Sequence, residues 1–329
     1  MSVVQTIEVT PSEDGMRLDR WFKAHYPGIG HGGLQRMFRT GQVRLDGARV
    51  KANARVAAGQ MVRVPPIDWQ QQVAKPKRKS EISDEDRDLI QSLVLYRDAS
   101  VIAVNKPSGL AVQGGSKTDR HVDGMLDALT FEAEERPRLV HRLDRDTSGV
   151  LLLARNRKVA AALARSFEAR QTEKTYWTLV AGVPRPDRGK INMPLAKVGR
   201  EGDQRMAPVD ARDQQGQHAE TVYAMIDHAG RRFCWLALSP LTGRTHQLRV
   251  HMAAIGHPVI GDGKYGGQEI ETGEELPKQL HLHARALKLD HPDGGDLDLV
   301  APLPAHMKTS WQFLGFNEAD GDTDILFGE

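Results

Sequence analysis

Cysteine is almost absent. Cys234 alone occurs in 329 residues, so no disulfide can close within the chain. It lies in Arg232-Phe233-Cys234-Trp235-Leu236, where a lone thiol reads as a small hydrophobe on a strand. Long apolar runs are lacking as well. No stretch approaches the ~18 consecutive apolar residues that a membrane helix needs. Met1-Ser2-Val3-Val4-Gln5 has no basic segment followed by an apolar core, so no secretory signal is expected. These absences point to a cytoplasmic protein with no membrane partner. No internal repeat, phosphate-cradling Gly-rich loop or dinucleotide fingerprint occurs. His281 and His283 alternate along a strand without a Cys or acidic partner at ligand spacing, so no metal is expected.

Net charge is also nearly lacking, at +2 overall, but it is unevenly placed. Residues 1–80 hold 14 Lys/Arg against 6 Asp/Glu, and the remainder holds 31 against 37. A basic front on a near-neutral chain suits a polyanionic partner at that end. Within the front, Leu18, Trp21 and Phe22 share a helix face. Leu34 to Thr40 reads as a second short helix stopped by Gly41. Gln42-Val43-Arg44-Leu45, the corner Asp46-Gly47 and Ala48-Arg49-Val50 read as a hairpin, and Met61 to Val64 as a strand. This block resembles the αL RNA-binding module of a small-subunit ribosomal protein. The resemblance implies that Arg36, Arg39, Arg44 and Arg49 face phosphate, which gives affinity without reading sequence. The expected organisation is a module over 1–66, a basic linker over 67–88, a large domain over 89–316 and a flexible acidic tail over 317–329.

One stretch stands out in the large domain: Leu139-Val140-His141-Arg142-Leu143-Asp144-Arg145-Asp146-Thr147-Ser148-Gly149-Val150-Leu151-Leu152-Leu153. Val150 to Leu153 reads as a strand covered on both faces. The polar segment before it therefore lies at the mouth of a sheet. There two carboxylates sit among arginines that cannot lose their protons, so the acids are held ionised. Such a carboxylate suits a nucleophile or base. By residue chemistry alone, the more frequent outcome is that such charges satisfy one another in an exposed turn.

The order His-Arg-Leu-Asp-Arg-Asp-Thr-Ser-Gly resembles the signature of the RluA/RluC/RluD family of RNA pseudouridine synthases. Asn105-Lys106-Pro107-Ser108-Gly109, the Lys-x-Tyr of Lys174-Thr175-Tyr176, and Gly243-Arg244-Thr245-His246-Gln247-Leu248-Arg249 match further family segments. So do Pro258 to Gly266 and Leu280 to Arg285. The likeness covers about residues 90–310. Ala111 to Gly115 and the Arg-Asp-Thr-Ser form of the signature look closer to the RluC branch.

The resemblance implies an α+β fold: a mixed, mainly antiparallel central sheet with flanking helices, behind the N-terminal α/β module. It implies isomerisation of specific uridines in large-subunit (23S) ribosomal RNA, free or in a pre-ribosomal large subunit. The implied enzyme is a monomer and uses no cofactor. The base is cut from its sugar, turned and rejoined through carbon. Asp144 is then the catalytic carboxylate, Arg249 its salt-bridge partner, and Tyr176 the ring against the target base. A paired base must leave its stack to reach them, and the planar guanidinium of Arg142 suits the vacated place. His141, Arg244, His246 and Lys106 are expected to contact the substrate. Thr245 is expected to cap a helix that runs to Gly256. Two rivals are a non-catalytic RNA-binding assembly factor and a metal-dependent hydrolase using Asp144, Asp146 and histidines. The first would not need Asp144, Tyr176 and Arg249 together, and the second lacks ligand spacing.

Overall fold

The computed structural model describes residues 4–66, 82–115, 118–169, 171–199, 204–210, 212–266, 270, 276–322, 325 and 326. The chain divides into two compact units, 1–81 and 82–329. The basic linker expected over 67–88 falls largely on 67–81, outside the described residues.

The first unit contains β1 (Gln5–Glu8), α1 (Leu18–His25), α2 (His31–Arg39), β2 (Arg44–Leu45), β3 (Ala48–Arg49) and β4 (Met61–Val64). Its strands lie in the order β1-β4-β2-β3. Leu18, Trp21 and Phe22 of α1 and Leu34, Met37 and Phe38 of α2 recur at three- and four-residue spacing. They bury one face of each helix against Val43, Leu45, Val62 and Val64. Asp46 and Gly47 both take positive φ, 48° and 79°, as a tight hairpin corner with the right twist requires. Arg44 stands opposite Arg49 on one neighbouring strand and Arg63 on the other. Opposed residues share a face, so three arginines line up across the sheet. Arg49 also donates to the Arg39 carbonyl at 3.2 Å, which places Arg39 beside that row.

In the second unit α3 (Asp84–Ser92) precedes β5 (Val94–Arg97), β6 (Val101–Lys106) and the short α4 (Val122–Met125). The Ser83 hydroxyl caps α3 by accepting from the Asp86 amide at 3.1 Å. This helix spans the boundary expected at residue 88, and its Ile90 is fully buried, so the compact unit begins before that boundary. Next come β7 (Arg138–Leu139), β8 (Ser148–Ala154), α5 (Arg157–Glu168), β9 (Thr172–Ala181) and β10 (Arg188–Asn192). A hairpin of β11 (Leu195–Val198) and β12 (Arg205–Pro208) is followed by β13 (Glu220–Ala229), β14 (Phe233–Pro240) and α6 (Gln247–Ala254). The chain closes with β15 (Leu282–Asp290), β16 (Asp296–Val300) and α7 (Ala305–Leu314).

Ten of these strands form the expected mixed sheet, ordered β10-β13-β14-β9-β15-β8-β6-β5, with β16 beside β15 and β7 beside β8. Its named pairs are antiparallel except β8 with β15. Alternate residues of β8 feed two cores. Leu151 and Leu153 pack with Ile90, Val122 and Met125, while Val150 and Leu152 pack with Val159 and Leu163 of α5. Coverage on both faces is why this strand reads as a continuous apolar run. Nearer the other end, Trp177 and Trp235 meet Met307 and Trp311 of α7. On the opposite face Val180 and Leu236 meet Leu248 and Met252 of α6.

The expected flexible tail is not what its described residues form. Glu318–Asp320 make a 3-10 turn, Ile325 and Leu326 pack on the tryptophan cluster, and Arg188 donates to the Ile325 carbonyl. The apolar residues among the acidic ones anchor this segment. Among the described residues no helix is long and apolar enough to cross a membrane.

Candidate active site

The polar segment 141–147 is held by what surrounds it. Lys106, at the end of β6, is fully buried. Its ammonium donates at 2.9 Å to each of three carbonyls, those of Pro107, Leu110 and Arg145. Three donors meet three acceptors, so the group is spent inside the protein. The expectation that Lys106 faces substrate is therefore overturned: it ties the 106–110 turn to the Asp144 loop. Burial pushes its pKa down to about 7, against the pull of Asp146 and Asp144. Two further bonds close the stitch, from Arg145 Nε to the Gly109 carbonyl at 3.0 Å and from the Ser108 hydroxyl to the Asp146 carbonyl at 2.8 Å.

His141 is held from inside through one ring nitrogen. Its Nε2 accepts from the Leu152 amide at 2.8 Å, and its ring stacks on Phe167 at 4.8 Å. Burial, then the charge of Lys174, pushes its pKa down to about 3. Such an imidazole is neutral and shapes the cleft wall; its acceptor nitrogen is not available to RNA. Arg142 differs. It is exposed at the rim, with Nη1 3.4 Å from Gln113 Oε1.

Gly149 fixes where the segment meets the sheet. Its φ is +110°, and a Cβ there would stand 2.2 Å from the Ala284 carbonyl oxygen. Only glycine allows β15 to approach β8 so closely. In the next strand, Tyr176 on β9 lies in register with Ala284 on β15 and Leu238 on β14. The β8–β15–β9 succession thus sets the Asp144 loop and Tyr176 on one cleft. Burial, then the charge of Asp144, raises the Tyr176 pKa, so its phenol keeps its proton.

The third wall is the 240–249 segment. Gln247 uses all of its amide: Oε1 accepts from the Thr242 hydroxyl at 2.6 Å and the Arg244 amide at 3.1 Å. Its Nε2 donates to the Glu220 carbonyl at 2.7 Å and Thr221 Oγ1 at 3.0 Å. His246, not Thr245, is the N-cap of α6, in the left-handed region at φ 54°. Its Nδ1 is hydrogen-bonded to the Tyr265 hydroxyl at 2.7 Å. Burial lowers its pKa, against the pull of Asp144. Arg249, in the first turn of α6, is 7% exposed. Its Nε and Nη2 each donate at 2.7 Å to a different oxygen of Asp262. Its Nη1 points to Asp144 Oδ2, 4.0 Å away. Burial works against the charge on Arg249, but Asp262 and then Asp144 outweigh it and raise the pKa.

A cleft of about 990 Å³ collects these parts, lined among others by Arg142, Asp144, Lys174, Tyr176 and Arg244. It adjoins a recess of about 120 Å³ lined by Asp144, Thr147, Tyr176, His246, Arg249 and Leu282. Of the expected site residues, Asp144, Tyr176, Arg249, Arg142, Arg244 and His246 share these walls. His141 also lines the cleft, Lys106 stands behind its walls, and Arg36, Arg39, Arg44 and Arg49 belong to the other unit. Asp262, Tyr265 and Gln247 carry much of the arrangement without having been singled out from sequence. Among the described residues no group of three or more His, Cys, Asp or Glu is placed to hold a metal ion.

The arrangement is that of an acid–base or nucleophilic site: one half-buried carboxylate, one protonated phenol and one guanidinium around a recess sized for part of a ligand. A family model described as RNA pseudouridylate synthase matches residues 100–254. The chain is 34% identical over 323 residues to the ribosomal large subunit pseudouridine synthase C of Escherichia coli (strain K12), covering 94% of this chain and 97% of that one. It is also 34% identical over 375 residues to the mitochondrial RNA pseudouridine synthase 4 of Arabidopsis thaliana, covering 90% and 78%. Among solved structures, human RNA pseudouridylate synthase domain containing 4 superposes with a TM-score of 0.59 at 28% identity, over 70% of this chain and 97% of that one. The chain belongs to the RNA pseudouridylate synthase family.

Proposed function

We propose that this protein converts specific uridines of large-subunit ribosomal RNA to pseudouridine, as a cytoplasmic monomer that needs neither cofactor nor metal. The observation that carries this reading is the meeting of Asp144, Tyr176 and Arg249 at one recess. The near-full-length likeness to the large subunit synthase C of Escherichia coli supports the choice of RNA. The arginine row of the first unit, with Arg44 and Arg49 exposed and Arg63 half-buried, supports an extended contact with phosphate.

In this reading the target nucleoside swings out of its stack into the cleft. Arg142, exposed at the rim, takes the vacated place because its planar group can stack. The bond from N1 of uracil to the sugar C1′ breaks, the ring turns, and a bond from C5 to C1′ forms. C5 gives up its proton and N1 gains one, so atoms balance without a co-reactant. Asp144 engages the nucleoside while the bond is open. Tyr176 lies against the ring and is positioned to pass a proton. Arg244 and His246 border the same recess and hold the flanking phosphate or sugar.

The deciding experiment incubates the full chain with transcribed large-subunit ribosomal RNA and maps pseudouridines. The wild type is expected to form them at discrete sites. Asp144→Asn is expected to form none while its RNA dissociation constant changes by less than threefold. Pseudouridine from a well-folded Asp144→Asn protein would falsify the role of Asp144.

A further inference from the structure

Arg249 has one guanidinium and two carboxylates within reach, and they are served unequally. Asp262 takes the Nε/Nη2 edge with two bonds of 2.7 Å. Asp144 receives only Nη1, at 4.0 Å. The two acids also differ in setting. The Asp262 side chain is 0% exposed and that of Asp144 28%. Asp262 Oδ1 accepts from the Lys264 amide at 2.9 Å and the Tyr265 amide at 3.2 Å as well. A buried carboxylate fixed by backbone donors is a rigid partner, and the two-on-two geometry is the strongest available to arginine.

The backbone delivers Asp262 to this place deliberately. Gly261 has φ +76°, and a Cβ there would lie 2.0 Å from the Gln279 carbonyl oxygen. The same loop supplies Tyr265, whose hydroxyl accepts from the Met206 amide at 3.2 Å and is hydrogen-bonded to His246 Nδ1. One loop therefore braces two side chains that border the recess, Arg249 and His246.

The consequence is geometric. With the Nε/Nη2 edge clamped, the guanidinium plane cannot turn, and only the end of the fork faces Asp144. Without the clamp the fork is free to rotate and close on Asp144 with two short bonds. Both oxygens of Asp144 would then be engaged by the protein rather than by the nucleoside. We infer that Asp262 is a positioning residue for the reaction: by holding Arg249 edge-on it keeps Asp144 steadied but unoccupied.

This inference rests on the proposed pseudouridine synthase activity of the same recess, so the wild-type chain is assayed beside each variant. In Asp262→Asn, an amide replaces one acceptor oxygen and opposes the Arg249 donors. The expected single-turnover rate on transcribed ribosomal RNA falls at least 30-fold, with RNA affinity within threefold of wild type. If Asp262 acts through Arg249, the losses do not multiply: adding Asp262→Asn to Arg249→Lys slows the reaction by less than threefold more. A wild-type rate in Asp262→Asn overturns the inference. So does a loss that resides in RNA affinity, or an equal fold-loss in both backgrounds. Absence of pseudouridine with the wild type rejects the activity itself and the inference with it. A second variant does not depend on Asp262→Asn folding. A crystal structure of Asp144→Ala is expected to keep both Arg249–Asp262 bonds unchanged; a guanidinium that leaves Asp262 there overturns the inference.

Discussion

The Ser148 hydroxyl lies 2.9 Å from Nδ1 of His283, where β8 and β15 run parallel. Burial keeps the His283 imidazole neutral; its Nε2 donates onward to the Ala301 carbonyl at 3.2 Å, so Ser148 is the donor to Nδ1. This clamp joins the strand that leaves the Asp144 loop to the residue just beyond β16. Both side chains are buried. Ser148→Ala therefore leaves a buried acceptor unpaired and is expected to cost about 1–3 kcal/mol. Urea unfolding of the variant against wild type checks this; an unchanged midpoint would show that the contact contributes nothing.

Buried neutral histidines also set the response to acid. Burial depresses His283 from 6.5 to about 3 and His281 to about 4. An unfolded imidazole titrates near 6.5, so below that pH the unfolded chain takes up a proton at each of these two positions that the folded chain refuses, as it also does at His141. Stability attributable to this pair is whole above pH 6.5 and falls as the pH drops toward 4. Each group contributes ~1.4 kcal/mol per pH unit in that window, so the pair approaches ~2.7 kcal/mol per unit. Urea midpoints measured from pH 7 to 4.5 should fall steeply, and His283→Asn should lessen the slope. A flat profile over that range contradicts the assignment of neutral, buried rings.

Gly149 gives a sharper outcome. Alanine there would place a methyl 2.2 Å from the Ala284 carbonyl oxygen at a φ of +110°. Neither the strand nor the backbone angle can yield cheaply, because Ser148 and Val150 on either side are buried. Gly149→Ala is expected to cost more than about 3 kcal/mol and to displace the Asp144 loop. Thermal unfolding and single-turnover activity should fall together. A variant that keeps wild-type stability would mean that β15 has room to move.

Much of this architecture is legible in the sequence. The run Val150 to Leu153 announces a two-faced strand because apolar residues cannot otherwise be hidden. The Asp46-Gly47 corner announces its hairpin through backbone chemistry alone. What sequence hid was tertiary. Lys106 resembles any loop lysine until three carbonyls converge on it. The start of α6 looked like a threonine cap because Thr245 has the right chemistry. His246 instead takes the left-handed cap, where the Tyr265 hydroxyl meets its ring. Asp262 lies 13 residues from Arg249 in a Gly-rich turn, and no spacing rule links the two. The tail reads as acidic and loose unless the tryptophan cluster it covers is known.

The arginine row of the first unit separates binding from folding. Arg44 faces both Arg49 and Arg63 across neighbouring strands, an arrangement that repels and weakens the sheet slightly. Arg63 extends the row beyond the residues picked out from sequence. Each of the three also donates to a backbone carbonyl, those of Gly47, Arg39 and Gln42, so replacing Arg44, Arg49 and Arg63 together by Gln should leave the melting temperature nearly unchanged, the lost bonds offsetting the relieved repulsion. RNA affinity should fall, and the slope of log affinity against log salt should lessen by about 2, at ~0.7 per lost contact to single-stranded phosphate. Titrations of a ribosomal RNA fragment at several salt concentrations supply both numbers. If the slope is unchanged while the protein remains folded, the row faces solvent rather than RNA. If stability falls instead, the arginines are held by contacts that outweigh their mutual repulsion.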